Sequence, residues 1–536
     1  MSMTAKSLPR ERFFVLLALA VGVVYRLLQY VSDRSFWLDE ALAAAKYLHH
    51  SPAELMQPRH FGGVGPGFYL LQWTAAQALG TSELALRLPA FVAGVASLFL
   101  FLPLARRFLN GYAVPLAVGM FAVSPYLIYY TSEAKRYSLD VFFGVALLLL
   151  AERVHRSAAA AGSVAAFVAG CVAAVFFSLP CAFVAAGTTL GLAWSFHRGG
   201  DPRASRVMLA VAGVAALLVG VPLLFFVGSV SGHGAAADFW KAGYMPFPPT
   251  SAEELRWYPE TYLRTFGDPL GLIRNRGVLP VLHGVAGAAA FAAGLFALRR
   301  DRRALLPLLV MPLAVALLAS ALAVYPFGGS RATGGRTIMY LMPVFYLAMA
   351  AGAAAGWSAL SAPLKAAGLA AALLLVAPPL AEAVAAVPYG RMEARSIISY
   401  VSTHRRPGDA VHVHYDLLPT FEFYQARYGF AGGGYSVGSC ERFTPLRYVE
   451  QMRRYAPGTR VWILFAAGEG AYGWDEKGFI LEYMKATSVP LDNRVALGAS
   501  AYLFEVRAHP DPGQLQVRVP LFPQRADESC EVVKMR

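Results

Sequence analysis

The chain has 536 residues, 57% of them hydrophobic and only 15% charged, with a mean hydropathy of +0.47. Soluble domains run at roughly 45–50% apolar, so this composition excludes a soluble globular protein and indicates a polytopic membrane protein. The formal net charge of +14 does not mark a nucleic-acid binder, because the basic residues cluster in short links between apolar runs and in the C-terminal tail.

In chain order, Lys6, Arg10 and Arg12 precede an apolar run at 13–31. Ala18-Leu19-Ala20 imitates a signal-peptidase site, yet the run continues to Val31 and therefore reads as an uncleaved first span. Further runs of membrane-crossing length lie near 84–105, 112–130, 138–152, 160–177, 180–196, 207–228, 278–298, 304–324, 337–357 and 364–385. They predict about eleven transmembrane helices, with a hairpin at Ser178-Leu179-Pro180. The links carrying Arg106-Arg107, Arg153 and Arg156, Arg198, Arg203 and Arg206, Arg299-Arg300 and Lys365 alternate with links that do not. Placing all of them in the cytoplasm satisfies the positive-inside rule.

That orientation divides the chain into a membrane domain, 1–388, and a soluble domain, 389–536, outside the cytoplasm. The outer loops of the first are 32–83, 129–138, 229–277 and 325–336. The first of these loops carries two amphipathic helical patterns, near 38–50 and 66–79. The tail alternates strand-like runs (409–416, 460–467, 500–507) with helical patterns near 393–406, 444–456 and 477–487, which predicts a small α/β domain.

Asp39 and Glu40 follow Trp37 just beyond the outer mouth of the first span. An ionised group at a membrane interface is costly and is by default a functional-site candidate. The plainer use of such a pair is as first-turn acids of the following helix. Short outer loops should lack basic residues, yet Lys135, Arg136, Arg331 and Arg336 sit in two of them. Glu133 lies three residues before Arg136, and the two could pair across a helical turn. Arg59 and His60 in the first loop, and Arg274 and Arg276 in the 229–277 loop, add to the same face. A carboxylate base opposite a cationic clamp at the headgroup plane suits an anionic lipid with a bond to break.

Other features carry less chemistry. His283 inside a span reads as a hydrogen-bonded core histidine. His412 and His414 share one face of a strand, but two histidines without a third ligand are weak evidence for metal. Gly432-Gly433-Gly434 reads as a turn, and Cys440 and Cys530 both fall where a disulfide could form.

Three stretches together resemble the GT-C class of glycosyltransferases, and within it the protein O-mannosyltransferase and lipid A aminoarabinose transferase group. They are FWLDEALAAA with GPGFYLLQWTAAQALG, SPYLIYYTSEAKRYSLDVF, and YPFGGSRATGGRTIMYLMPVF. The resemblance covers roughly residues 10–385. It implies an α-helical polytopic membrane enzyme in the bacterial inner membrane, with its active site and C-terminal domain on the periplasmic side. It further implies inverting transfer of a sugar from a polyprenyl-phosphate donor to an extracytoplasmic acceptor, either a glycolipid, a cell-envelope glycan or a protein.

On that resemblance Asp39 is the base, with Glu40 and Glu133 as accompanying carboxylates. Lys135, Arg136, Arg331, Arg336 and Arg59 bind the donor phosphate, and His60, Tyr137, Tyr325 and Tyr340 line the substrate. No cofactor is demanded, although the carboxylates and His60 could hold a divalent metal ion. Where the family more often has a polar residue followed by Pro-Pro, this chain has Gly65-Pro66-Gly67. The rival functions are a pyrophosphate-linked oligosaccharide ligase and a lipid or sugar transporter. The second is disfavoured by ionisable residues at the rim instead of the midplane.

Overall fold

A computed structural model describes residues 9–57, 64–215, 241–273, 277–328, 335–359, 365–441, 444–466 and 475–507. The chain divides into two compact units: Met1–Ser32 with His50–Tyr389, and Asp33–His49 with Gly390–Arg536. The segment bearing Asp39 and Glu40 therefore folds with the tail.

The first unit is helical. Its elements are α1 (Pro9–Val31), α3 (Pro52–Leu55), α4 (Pro66–Leu79), α5 (Glu83–Phe108), α6 (Ala113–Val123), α7 (Pro125–Tyr130), α8 (Tyr137–Arg156), α9 (Ala161–Phe177), α10 (Cys181–Arg198) and α11 (Pro202–Ala215). After residue 240 follow α12 (Ala252–Gly267), α13 (Val278–Asp301), α14 (Leu306–Ala321), a 3-10 turn Gly335–Leu341, α15 (Met342–Ala359) and α16 (Lys365–Ala386). Four stretches among the described residues are long and apolar enough to cross a membrane: Arg10–Val31, Glu83–Phe108, Val278–Asp301 and Gly335–Trp357. Shorter apolar helices accompany them, and the chain reads as a multi-pass membrane protein. Most of the span expected at 207–228 lies outside the described residues.

Small residues set the tightest crossing. A Cβ on Gly294 of α13 would stand 1.7 Å from the Ala348 carbonyl oxygen of α15, and one on Gly352 would stand 1.9 Å from that of Ala290. This reciprocal fit brings two backbones together where apolar surface alone gives no driving force.

The run expected as one span at 112–130 is instead two helices. Ser124 caps α7, its Oγ accepting from Leu127 N at 3.4 Å, and Pro125 opens it. Pro125 has no N–H for the Phe121 carbonyl four residues back. Buried Arg26 of α1 supplies the donors, to Phe121 O at 3.1 Å, Ala122 O at 2.9 Å and Gly22 O at 3.0 Å. His283 is also hydrogen-bonded in the interior, its Nδ1 2.9 Å from the Leu374 carbonyl oxygen.

The second unit holds a five-stranded sheet in the order β2-β1-β3-β5-β4. Its strands are β1 (Ala410–Val413), β2 (Ser436–Val437), β3 (Arg460–Ala466), β4 (Ser488–Ala496) and β5 (Ala499–Val506). β1 runs parallel to β2 and β3, while β5 is antiparallel to β3 and β4. Central β3 is buried along nearly its whole length, as a strand covered on both faces should be. Its Val461, Ile463 and Phe465 pack with Phe479 and Met484 of α20 (Glu476–Thr487) and Tyr448 of α19 (Leu446–Arg453). On the other face Trp462 meets Tyr400 of α17 (Ala394–His404), their rings 6.1 Å apart.

Residues 33–37 are strapped onto this unit. Asp33 pairs with Arg395 at 2.9 Å, Ser35 donates to Glu393 at 2.9 Å, and the Phe36 amide donates to the Tyr424 hydroxyl at 2.8 Å. Tyr424 ends α18 (Leu418–Tyr424). The Arg391 guanidinium lies 4.5 Å from the Trp37 ring centre. Cys440 is disulfide-bonded, whereas Cys171 and Cys181 are free.

Candidate active site

The loop between α7 and α8 runs through the interior of the first unit, and Thr131, Ser132 and Glu133 are fully buried. A buried loop must find partners for its backbone. Ser138 Oγ donates to Tyr130 O at 2.8 Å, and the amides of Thr131, Ser132 and Lys135 close short turns onto Ile128, Tyr129 and Glu133.

This loop aims Arg136. Its Nη1 lies 2.5 Å from Asp140 Oδ2, and its Nη2 donates to the Tyr325 hydroxyl at 3.0 Å. Asp140 is fully buried in the first turn of α8, and its second oxygen accepts from Ser178 Oγ at 2.6 Å. The expected Glu133–Arg136 pair is not what forms. Residues 131–136 are not helical, so the three-residue spacing does not bring the two side chains together. Arg136 occupies the N-cap of α8, which sets Asp140 one turn above it. Glu133 instead accepts from Tyr129 Oη at 3.2 Å.

Around Arg136 the unit gathers aromatic rings and a second guanidinium. The Tyr137 ring centre lies 5.4 Å from Arg136 Cζ and 5.9 Å from Arg336 Cζ. The rings of Tyr325 and Tyr340 are 6.5 Å apart. Arg336 and Tyr340 belong to the 3-10 turn, whose first amide, Gly335 N, donates to Asp268 Oδ1 at 2.6 Å. A Cβ on Gly144 of α8 would stand 2.6 Å from the Tyr340 carbonyl oxygen, which seats that turn against α8. Lys135 is partly exposed and has no ion-pair partner among the described residues.

Five of the residues singled out in the sequence thus converge: Arg136, Tyr137, Tyr325, Arg336 and Tyr340, with Glu133 and Lys135 on the same loop. Asp39 and Glu40 occupy the first turn of α2 (Leu38–His49) in the second unit, with Glu40 buried there. Arg59, His60, Arg274, Arg276 and Arg331 lie outside the described residues. Sequence reasoning missed Asp140 and Ser178. A carboxylate one turn inside an apolar run was the available signal for Asp140, on the cost of an intramembrane charge alone.

At Gly65 the departure from the family pattern has a steric reason. A Cβ there would meet the Phe176 carbonyl oxygen at 2.4 Å, so α4 starts hard against the end of α9 and leaves no room for a polar side chain. Among the described residues no group of three or more His, Cys, Asp or Glu side chains is placed to hold a metal ion.

The chain is similar over 92% of its length to the archaeal oligosaccharyltransferase AglB from Archaeoglobus fulgidus, in complex with an inhibitory peptide and a dolichol-phosphate. Identity is 14%, 74% of that chain is covered and the TM-score is 0.52. A second structure of that oligosaccharyltransferase, with Zn and sulfate, matches over 91% of this chain and 72% of its own at 13% identity, TM-score 0.50. This chain has the GT-C fold. ArnT from Cupriavidus metallidurans, bound to undecaprenyl phosphate, matches at 12% identity over 92% of this chain and 97% of its own, with a TM-score of 0.48. No family model and no curated protein matches the sequence. The cluster around Arg136 thus combines two guanidinium groups, a buried carboxylate and the rings of Tyr137, Tyr325 and Tyr340.

Proposed function

We propose that the protein is an inverting glycosyltransferase of the bacterial inner membrane, moving a sugar from a polyprenyl-phosphate donor to an acceptor on the periplasmic side. The observation that carries this reading is the convergence of Arg136 and Arg336 on the Tyr137–Tyr325–Tyr340 wall of a multi-pass GT-C unit, with Lys135 next to Arg136 in the chain. Further support comes from AglB, whose structure holds a dolichol-phosphate.

In this reading Lys135, Arg136 and Arg336, together with Arg331 and Arg59, hold the donor phosphate. Preorganised charge of that kind is often the largest catalytic contribution. Asp39 takes the acceptor hydroxyl proton as the bond to the anomeric carbon forms. A free Asp has a pKa of roughly 3.9 and is a weak base, but a positioned base gives roughly 10²–10⁴-fold because deprotonation develops only in the transition state. Glu40 and Glu133 orient these groups and favour the oxocarbenium-like centre. Tyr137, Tyr325, Tyr340 and His60 line the sugar and lipid path, and the tail unit shapes acceptor access.

The test uses purified full-length protein in lipid nanodiscs with a panel of polyprenyl-phosphate sugars, wild type beside Asp39→Asn. The expected result is saturable binding of one such lipid by both proteins, with transfer abolished only in the variant. Near-normal turnover by Asp39→Asn would remove the base assignment. A second reading, transfer from a pyrophosphate-linked oligosaccharide, is favoured by AglB being an oligosaccharyltransferase. Binding confined to pyrophosphate-linked members of the panel would select it.

A further inference from the structure

The buried Asp140 poses a problem of charge. In the proposed reaction the bond between the anomeric carbon and the phosphate oxygen breaks, and its electron pair stays on that oxygen. The acceptor hydroxyl bonds to the anomeric carbon and gives its proton to Asp39. The carrier lipid therefore enters as a phosphodiester with one negative charge. It leaves as a phosphomonoester, carrying about −1.5 to −2 at neutral pH.

A pocket built only of cations would hold the more highly charged product best and trap the spent carrier. The pocket here is not built that way. Asp140 sets a fixed carboxylate beside Arg136, at 2.5 Å from Nη1, and Ser178 pins it from the turn between α9 and α10. Both carboxylate oxygens accept hydrogen bonds, and no solvent reaches the group. The charged group that faces Asp140 is Arg136 at the N-cap of α8; Glu133 and Lys135 lie on the loop before it, and Arg336 shares the Tyr137 ring with Arg136.

We propose that Asp140 is the counter-charge by which this site discriminates the sugar-bearing donor from the spent carrier. The inference rests on the donor class assigned above. Repulsion between Asp140 and a bound phosphate grows with the phosphate's charge, so it weakens the product more than the donor. Because the charge acts through protein and not through bulk water, the effect on one extra negative charge is about tenfold in relative affinity. Arg136 can still donate, held in register by Tyr325, so discrimination is gained without giving up the donor contact.

The experiment compares dissociation constants of undecaprenyl phosphate and of the sugar phosphodiester that the wild type binds, in nanodiscs at about pH 7.5, where the monoester is largely dianionic. The wild type should bind the spent carrier no more tightly than the donor. Asp140→Asn, which keeps shape and removes charge, should shift the ratio about tenfold towards the spent carrier, with product inhibition rising in step. Ser178→Ala keeps the charge and should leave the ratio where it is. An unchanged ratio in Asp140→Asn overturns the proposal, because a purely architectural aspartate would weaken both lipids alike. So does an equal shift in Ser178→Ala, or a wild type that binds the spent carrier more tightly than the donor. A wild type that binds neither lipid removes the donor assignment, and this inference with it.

Discussion

Arg136 illustrates how little of a residue's role its neighbours in sequence reveal. Its partner is Asp140, four residues on, not Glu133, and its orientation is completed by Tyr325 from a distant loop. If the guanidinium must be held in place to meet a phosphate, the Tyr325 hydroxyl matters for binding. Tyr325→Phe removes the hydrogen bond that Arg136 donates, worth about 1 kcal/mol, along with the hydroxyl's weaker bond to the Thr337 carbonyl, and should raise the donor dissociation constant about fivefold. Equal donor affinity in the two proteins, measured by lipid titration, would show that Tyr325 does not set the arginine. Arg136 and Arg336 could be singled out because basic residues in short outer loops break the positive-inside pattern. Asp140 was hidden because the reading treated YSLDVFF as the start of a span and weighed its apolar letters over the single acid.

Among the elements, apolar runs and turn residues marked most helix positions in the first unit, including the break at Ser178-Leu179-Pro180 between α9 and α10. The division of 112–130 at Ser124-Pro125 was written in the sequence as a cap followed by proline. It was overlooked because the apolar run passes straight through it. Strand β4 could not be found by alternation at all, since most of it is exposed and it exists through pairing with β5. The break between α6 and α7 has a testable cost. Arg26→Leu leaves the Phe121 and Ala122 carbonyls without their donor and should lower stability by about 1–3 kcal/mol, read from thermal unfolding of the full chain. Adding Pro125→Ala restores an N–H to Phe121 O and should recover part of that loss. Strictly additive effects of the two substitutions would disconnect Arg26 from the break.

At the scale of the molecule, the second unit carries an acid-sensitive group in its sheet. His412 on β1 is buried, its Nδ1 3.0 Å from the Tyr455 hydroxyl, and burial, with the nearby His414 and Arg454, pushes its pKa down to about 3. The unfolded chain takes up that proton near pH 6.5, so the unfolded state binds more protons and stability falls as the pH drops. The His412 contribution is complete above about pH 6.5 and is lost at up to about 1.4 kcal/mol per pH unit on the way down to about pH 3. Hydrogen exchange of the β1 peptide in the full-length protein, corrected for intrinsic rates, should show protection dropping between about pH 6.5 and 4.5. His412→Gln should flatten that dependence. Protection that ignores pH in the wild type would contradict the buried neutral histidine.

The strap of residues 33–37 onto the tail has a consequence for biogenesis. Its bonds to Glu393, Arg395 and Tyr424 join residues 358 to 388 positions apart, so the loop behind the first span is made early but meets its partners only when synthesis is nearly over. Until then Asp33–His49 must remain without those partners while the later apolar helices are made. Long-range closures of this kind come late in assembly. Chains stalled or truncated near residue 389 should therefore be cut by added protease within 33–49, whereas the complete chain resists. The acid pair Asp39-Glu40 would then settle late, only after residues 393–424 have been made.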